Sequence, residues 1–264
     1  MPLNSSYPVF EAEISQGHFE YFRTHGYVVL KDALTSDELT HFLRLYDIDR
    51  EKFGPPNCWH PFDEYQTRNC NALVTSPGFD ALLRHPKILP LITFLMGGPV
   101  CFSEICLRHM APYDGEPRRH FHRDRLHWEN HPLRMDYMQL MLYLTEVDES
   151  THCFSISPES VCNSILDGEA QLGRNGCVDF HGPAGTIVLF NIALLHTATV
   201  RKTQRERKTV QAYYGHRFRP YLSNCSVIPP CFWRNANDPE VRAFYGNLND
   251  TSRIFQAAFS PGGC

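Results

Sequence analysis

Between residues 100 and 218 the chain passes through eight short runs rich in β-branched and aromatic residues. They lie at 101–109, 119–125, 134–145, 153–157, 176–181, 185–192, 195–201 and 207–217, each bounded by turn-forming residues. No stretch between them carries a helical period. Strands at this spacing, without helical crossovers, pair antiparallel and close on themselves. The expectation is a mainly β fold, a double-stranded β-helix or jelly roll.

The first hundred residues read differently. The stretch "GHFEYFRTHGYVVLKDAL" starts as an amphipathic helix, stops at Gly26 and continues as a Tyr-Val-Val-Leu strand. Thr35 and Glu38 stand in capping-box positions ahead of a helix whose Leu39, Phe42, Leu43 and Tyr46 share one face. After a Pro- and Asn-rich loop (54–75), Ser76 as N-cap and Pro77 at the first position predict a second helical segment ending on Gly97 and Gly98. The tail 219–264 suits loops and a short helix. The expected organisation is one domain over 1–264. Residues 1–99 form a helical part packed on one sheet, 100–218 the jelly-roll core, and 219–264 an extension.

A net charge of −4 gives no pull toward nucleic acid or an anionic membrane, and no apolar run approaches a membrane span. The N-terminus lacks the pattern of a signal peptide, and the terminal "PGGC" matches neither a peroxisomal address nor a prenylation box. Cytoplasmic location is the expectation. The ten cysteines never form C-x-x-C and several fall in apolar runs, which points to reduced thiols.

Chemistry concentrates in "RRHFHRDRLHWENH", residues 118–131. His122-Arg123-Asp124 spells the tripeptide of a protein-kinase catalytic loop. That loop needs an asparagine five residues after its aspartate, where this chain has Glu129, and no Gly-rich loop lies upstream. In an extended segment, however, His122 and Asp124 point to one face and can bind one ion. A facial iron(II) site needs one more histidine and leaves three positions open. His196, opening a strand after "GPAGTIVLFNIAL", fits that role. Eleven residues on, Arg207 begins a strand expected to return beside the one bearing His196. A buried arginine there needs an anion, and its planar fork matches a carboxylate such as the far end of 2-oxoglutarate. Thr209, on the same face, can add a hydrogen bond. Gln139 is a further candidate for co-substrate contact, with an ordinary core hydrogen bond as its alternative.

Taken together, His122-Arg123-Asp124, His196 and Arg207 resemble the pattern of the phytanoyl-CoA dioxygenase family of Fe(II)/2-oxoglutarate oxygenases. "FRTHGYVVLKDALTSDEL" is similar to that family's opening helix–strand–helix, and "LLRHPKILPLITFLMGG" to its second helical segment. "CFSISPES" stands where the family commonly has a glycine-led turn. The resemblance implies a dioxygenase that uses Fe(II), 2-oxoglutarate and O2 to oxidise a small organic molecule, releasing succinate and CO2. His122, Asp124 and His196 would be its metal ligands. The chain departs from the family at Ala198, where a small polar group often assists the co-substrate, and at Ser157-Pro158-Glu159-Ser160. Because Asp124 is present, halide would find no free iron position.

Two rivals share the same barrel. One is a cupin-type metal set of His120, His122, Glu129 and His196; the other is a non-catalytic jelly-roll binding protein. Arg205 is the competitor of Arg207, within a polar turn. Arg123 and Arg125 point away from the ligand face, while Arg118 and Arg119 are expected near the cavity rim, where they could anchor an anionic substrate.

Overall fold

The structure, a computed structural model, describes residues 7–259. The terminal "PGGC" lies outside them.

In chain order the elements are β1 (Val9–Phe10), α1 (Gln16–His25), β2 (Tyr27–Leu30), α2 (Ser36–Phe53), β3 (His60–Asp63), β4 (Gln66–Asn69) and α3 (Ala72–Thr75). A 3-10 turn at Pro77–Phe79 leads to α4 (Asp80–Leu83), α5 (Ile88–Met96), β5 (Val100–Met110), β6 (Tyr137–Tyr143) and β7 (Cys153–Ile156). Then come α6 (Gly168–Asn175), β8 (Val178–Phe180), β9 (Ile187–Asn191), β10 (His196–Thr199) and β11 (Arg207–His216). The tail holds α7 (Pro230–Trp233), α8 (Pro239–Tyr245) and α9 (Asp250–Phe259).

The strands make a large sheet in the order β1-β2-β9-β6-β11-β5-β4-β3 and a small one in the order β10-β7-β8. Every pairing is antiparallel except that of β1 with β2. The fold is the jelly roll expected, and side-chain alternation builds it. On β2, Val28 and Leu30 pack toward the helices while Tyr27 and Val29 pack toward the small sheet. The same split recurs on β6 (Leu140 and Leu142 against Met141 and Tyr143) and on β9 (Ile187 and Leu189 against Val188 and Phe190). On β11 the even-numbered Val210, Ala212 and Tyr214 enter the helix-side core. Arg207, Thr209, Gln211 and Tyr213 are left facing the cavity between the sheets.

The capping box forms, with Glu38 N–H donating to Thr35 Oγ1 and Thr35 N–H to Glu38 Oε2. Gly26 ends α1 in the left-handed region (φ 78°), where a Cβ would lie 2.6 Å from Leu194.

Five expectations need correction. The segment 119–125 forms no strand; it touches its neighbour through one isolated bridge, His122 to His196, with a second, Arg118 to Val200, just before it. The helix predicted from 76 to 98 is broken, because Pro86 disfavours helical geometry at His85, so α4 stops at Leu83 and α5 starts at Ile88. Ser76 caps nothing, since its hydroxyl donates to buried Asp49 instead. The loop 54–75 contains the hairpin β3–β4, and with β1 also present the N-terminal part contributes four strands rather than one. Finally, α6 interrupts the strand series, opened by Asp167 accepting from the Ala170 amide.

Candidate metal centre

His122 and His196 exchange backbone hydrogen bonds (N–O 3.0 and 2.9 Å), which sets their imidazoles side by side with ring centres 4.5 Å apart. The Asp124 amide donates to Ile192 O (3.1 Å), bringing the carboxylate to the same place. Asp124 lies 3.4 Å from His122 Nε2 through Oδ1 and 3.7 Å from His196 Nε2 through Oδ2. The three offer one ligand atom each, all within 4.8 Å of one another.

Tautomers follow from the hydrogen bonds. His122 Nδ1 donates to His120 O (3.1 Å) and His196 Nδ1 to Leu194 O (2.9 Å). A carbonyl can only accept, so the Nδ1 proton of each ring is fixed and Nε2 is the nitrogen each histidine turns toward Asp124. Burial holds the His196 imidazole neutral, its pKa down to about 4. Burial also opposes charge on Asp124, but the His122 hydrogen bond and the positive charge of Arg108 help to outweigh it and keep the carboxyl below its ordinary value. Tyr213 Oη donates to Asp124 Oδ2 (3.3 Å) and fixes the carboxylate's orientation. The ring of His196 is held between Phe154 and Phe190, with centroids at 5.7 and 5.1 Å. Two imidazoles turned inward through Nε2 and an ionised carboxylate, with solvent access on the His122 side, are the donor set a facial divalent-metal site requires.

Arg207 is 2% exposed, yet its Nε and Nη1 have no partner, and neither does Thr209 Oγ1. Such donors are costly without an acceptor, so the chain leaves room for an anion here. Arg207, Gln139, Gln211, Tyr213 and the three clustered donors line one recess. The expected strand arrangement was wrong in detail. β11 pairs with β5 and β6, while β10 pairs with β7, so Arg207 meets the cluster from across the sandwich rather than from beside it. Arg205 is exposed and tied to Asp148 and Glu146.

Glu129 and His120 are exposed and stand outside the cluster, so the four-ligand cupin set is not assembled among the described residues. Arg123 turns away to Glu159, Ala193 O and Leu166 O, and Arg125 to Asp136. Arg119 is engaged by Asp179 and Arg118 by Asp63 and Glu64, so the rim arginines already have counter-charges. Ala198, in the recess wall, adds no polar atom.

The recess opens into a pocket of about 690 Å³ shared by His122 and Asp124 and walled by β4 and β5. Gln66, Arg68, Glu104 and Arg108 in that wall, and Tyr213 beside the cluster, were not singled out in the sequence. The signal existed for three of them: Glu104 and Arg108 are charges at even spacing within an apolar strand, and Tyr213 continues the 207, 209, 211 alternation.

The family model described as phytanoyl-CoA dioxygenase matches residues 22–209. No curated protein sequence matches the chain. Among solved structures, the non-heme alpha-ketoglutarate-dependent carbocyclase SnoK from nogalamycin biosynthesis superposes with a TM-score of 0.67 at 18% identity, covering 81% of this chain and 89% of that one. EctD from S. alaskensis with 2-oxoglutarate and 5-hydroxyectoine gives 0.66 at 18% identity, covering 90% of each chain. The epimerase SnoN with Fe3+, alpha-ketoglutarate and nogalamycin RO gives 0.64 at 16%, covering 78% and 85%. At these identities the likeness is one of fold.

Proposed function

Since the chain belongs to the phytanoyl-CoA dioxygenase family, we propose that it is an Fe(II)- and 2-oxoglutarate-dependent dioxygenase that hydroxylates or otherwise oxidises a small organic molecule. The observation that carries this reading is the convergence, on one recess, of the His122–Asp124–His196 donors and the unpartnered guanidinium of Arg207.

His122 Nε2, Asp124 and His196 Nε2 would hold the iron, leaving one side of it open for the co-substrate and O2. Bound there, iron(II) with 2-oxoglutarate would activate O2, yielding succinate, CO2 and an oxidised substrate. Arg207 receives the far carboxylate of 2-oxoglutarate on its planar fork, and Thr209 donates a hydrogen bond beside it. Tyr213 keeps Asp124 from rotating, while Phe154 and Phe190 exclude water from the buried side of His196. Asp124 occupies the position a halide would need, so the reading is oxygenation rather than halogenation. The rim pair Arg118 and Arg119 is charge-neutralised, so an anionic end of the substrate would find its counter-charge deeper in the pocket.

Anaerobic addition of Fe(II) and 2-oxoglutarate to the metal-free protein should produce the weak visible charge-transfer band of the chelate. Its absence at saturating metal and co-substrate would reject the assignment.

A further inference from the structure

The wall of the pocket opposite the cluster is built from donors that the chain itself leaves unanswered. β4 and β5 pair with Gln66 opposite Met110 and Arg68 opposite Arg108, which puts Gln66, Arg68 and Arg108 on one face of the sheet. Gln66 is 3% exposed and its Nε2 has no partner; the Nε of Arg108 is enclosed and equally without one. Neither Arg68 nor Arg108 has a carboxylate within 4.0 Å among the described residues. Their guanidinium carbons lie 4.3 and 5.2 Å from the ring centre of Phe62, which spreads their charge over an aromatic face without neutralising it. The acids nearest the rim, Asp63 and Glu64, are taken by Arg118. On β5 itself, Glu104 accepts from Ser223 and stands four residues from Arg108, roughly 13 Å along an extended strand.

The unpartnered atoms here are N–H donors with positive charge behind them, so what completes them is an oxyanion from outside the chain. Arg108 pairs with Thr209, one cavity-facing place from Arg207, and lines the same recess. Arg207 keeps two unsatisfied nitrogens of its own, so the single carboxylate assigned to it leaves Arg108 and Gln66 still without an acceptor. We propose that the substrate carries a carboxylate or phosphate that docks on Arg108, flanked by Gln66 and Arg68, with its apolar body in the pocket toward His122 and Asp124. This rests on the oxygenase reading of the pocket, and it moves the anion anchor from the rim arginines to the sheet wall.

Titration calorimetry tests it with Mn(II) as a redox-inert ion. Wild-type protein is loaded with Mn(II) and then 2-oxoglutarate; failure of that loading sinks the oxygenase reading before any probe is added. The loaded protein is then titrated with 4-phenylbutyrate, 3-phenylpropyl phosphate, 4-phenylbutanol and 4-phenylbutylamine. At least one of the two anions should bind about tenfold or more tightly than the alcohol, with the amine weakest. The difference should vanish in Arg108→Gln while 2-oxoglutarate is still taken up. Which anion wins names the headgroup. Should Arg108→Gln fail to fold, Arg68→Gln on the edge hairpin should lower the preference several-fold. Equal binding of anions and alcohol by the wild type, or a preference that survives both substitutions, overturns the proposal. Loss of 2-oxoglutarate together with the anion preference also overturns it, by assigning Arg108 to the co-substrate.

Discussion

His196 and Arg207 face the same recess from opposite sheets, one on the short strand β10 and the other at the start of β11. Eleven residues of chain carry the site from one layer to the other. Three donors that attract a cation thus stand across a narrow gap from a buried cation with no anion of its own.

Asp124 is the one anionic member of the cluster. Asp124→Ala should abolish Mn(II) binding measured by equilibrium dialysis, with the circular-dichroism spectrum retained. Tyr213→Phe, which removes only the hydrogen bond that orients Asp124, should weaken the metal about tenfold. Full metal affinity in Asp124→Ala would show that the facial site is misassigned.

Arg207 should give opposite signs in two measurements. Arg207→Met should weaken 2-oxoglutarate binding by about 2–4 kcal/mol, because it removes the carboxylate's partner. Without ligands it should raise the denaturation midpoint, since a buried guanidinium with unpaired nitrogens is exchanged for an apolar chain. Arg205→Ala, on the solvated turn, should change neither.

Glu104 links stability to pH. Burial is the main cause that raises its carboxyl from 4.5 to about 7, against a hydrogen bond from Ser223 that lowers it. With the folded pKa above the unfolded one, the folded state holds the extra proton between these values, and stability falls as pH rises through that window. The full loss, about 3 kcal/mol, is reached above pH 7. Glu104→Gln should remove this slope, so urea midpoints of variant and wild type should diverge from pH 5 to pH 8. Parallel profiles would contradict the assignment.

Asp49 anchors the hairpin of the pocket wall. It is fully buried and accepts from Trp59 Nε1 (2.8 Å), Asn69 Nδ2 (2.9 Å) and Ser76 Oγ (2.8 Å), joining α2 to the end of β4. Asp49→Ala leaves three buried donors unmet and should cost about 3 kcal/mol or more. Amide exchange in β3 and β4 should quicken most.

The sequence made the large architecture legible wherever one physical period dominated. Seven of the eight β runs became strands, and Gly26, Thr35 and Glu38 marked their helix ends correctly. The failures share a cause. β3 is the exposed edge strand and β4, beside it, is the wholly polar Gln66–Asn69, so no hydrophobic alternation announces either. The segment 119–125 is held by one bridge and by its own Arg123 and Arg125 reaching Glu159, Leu166 O and Asp136, which local propensity does not encode. His122, Asp124 and His196 could be grouped from spacing alone. Arg108 and Gln66 could not, because their partners across the β4–β5 ladder depend on a hairpin the sequence did not show.

The division of the site between two layers has a mechanical side. The small sheet has three strands of three or four residues each, and in the recess it faces the much larger sheet. A molecule gripped by metal at one end and by Arg207 at the other is a rivet through both plates. Filling the site therefore fastens the thinner plate to the thicker one, and emptying it frees the thinner plate to breathe. Inhibitors that reach only one plate would occupy the recess without fastening it.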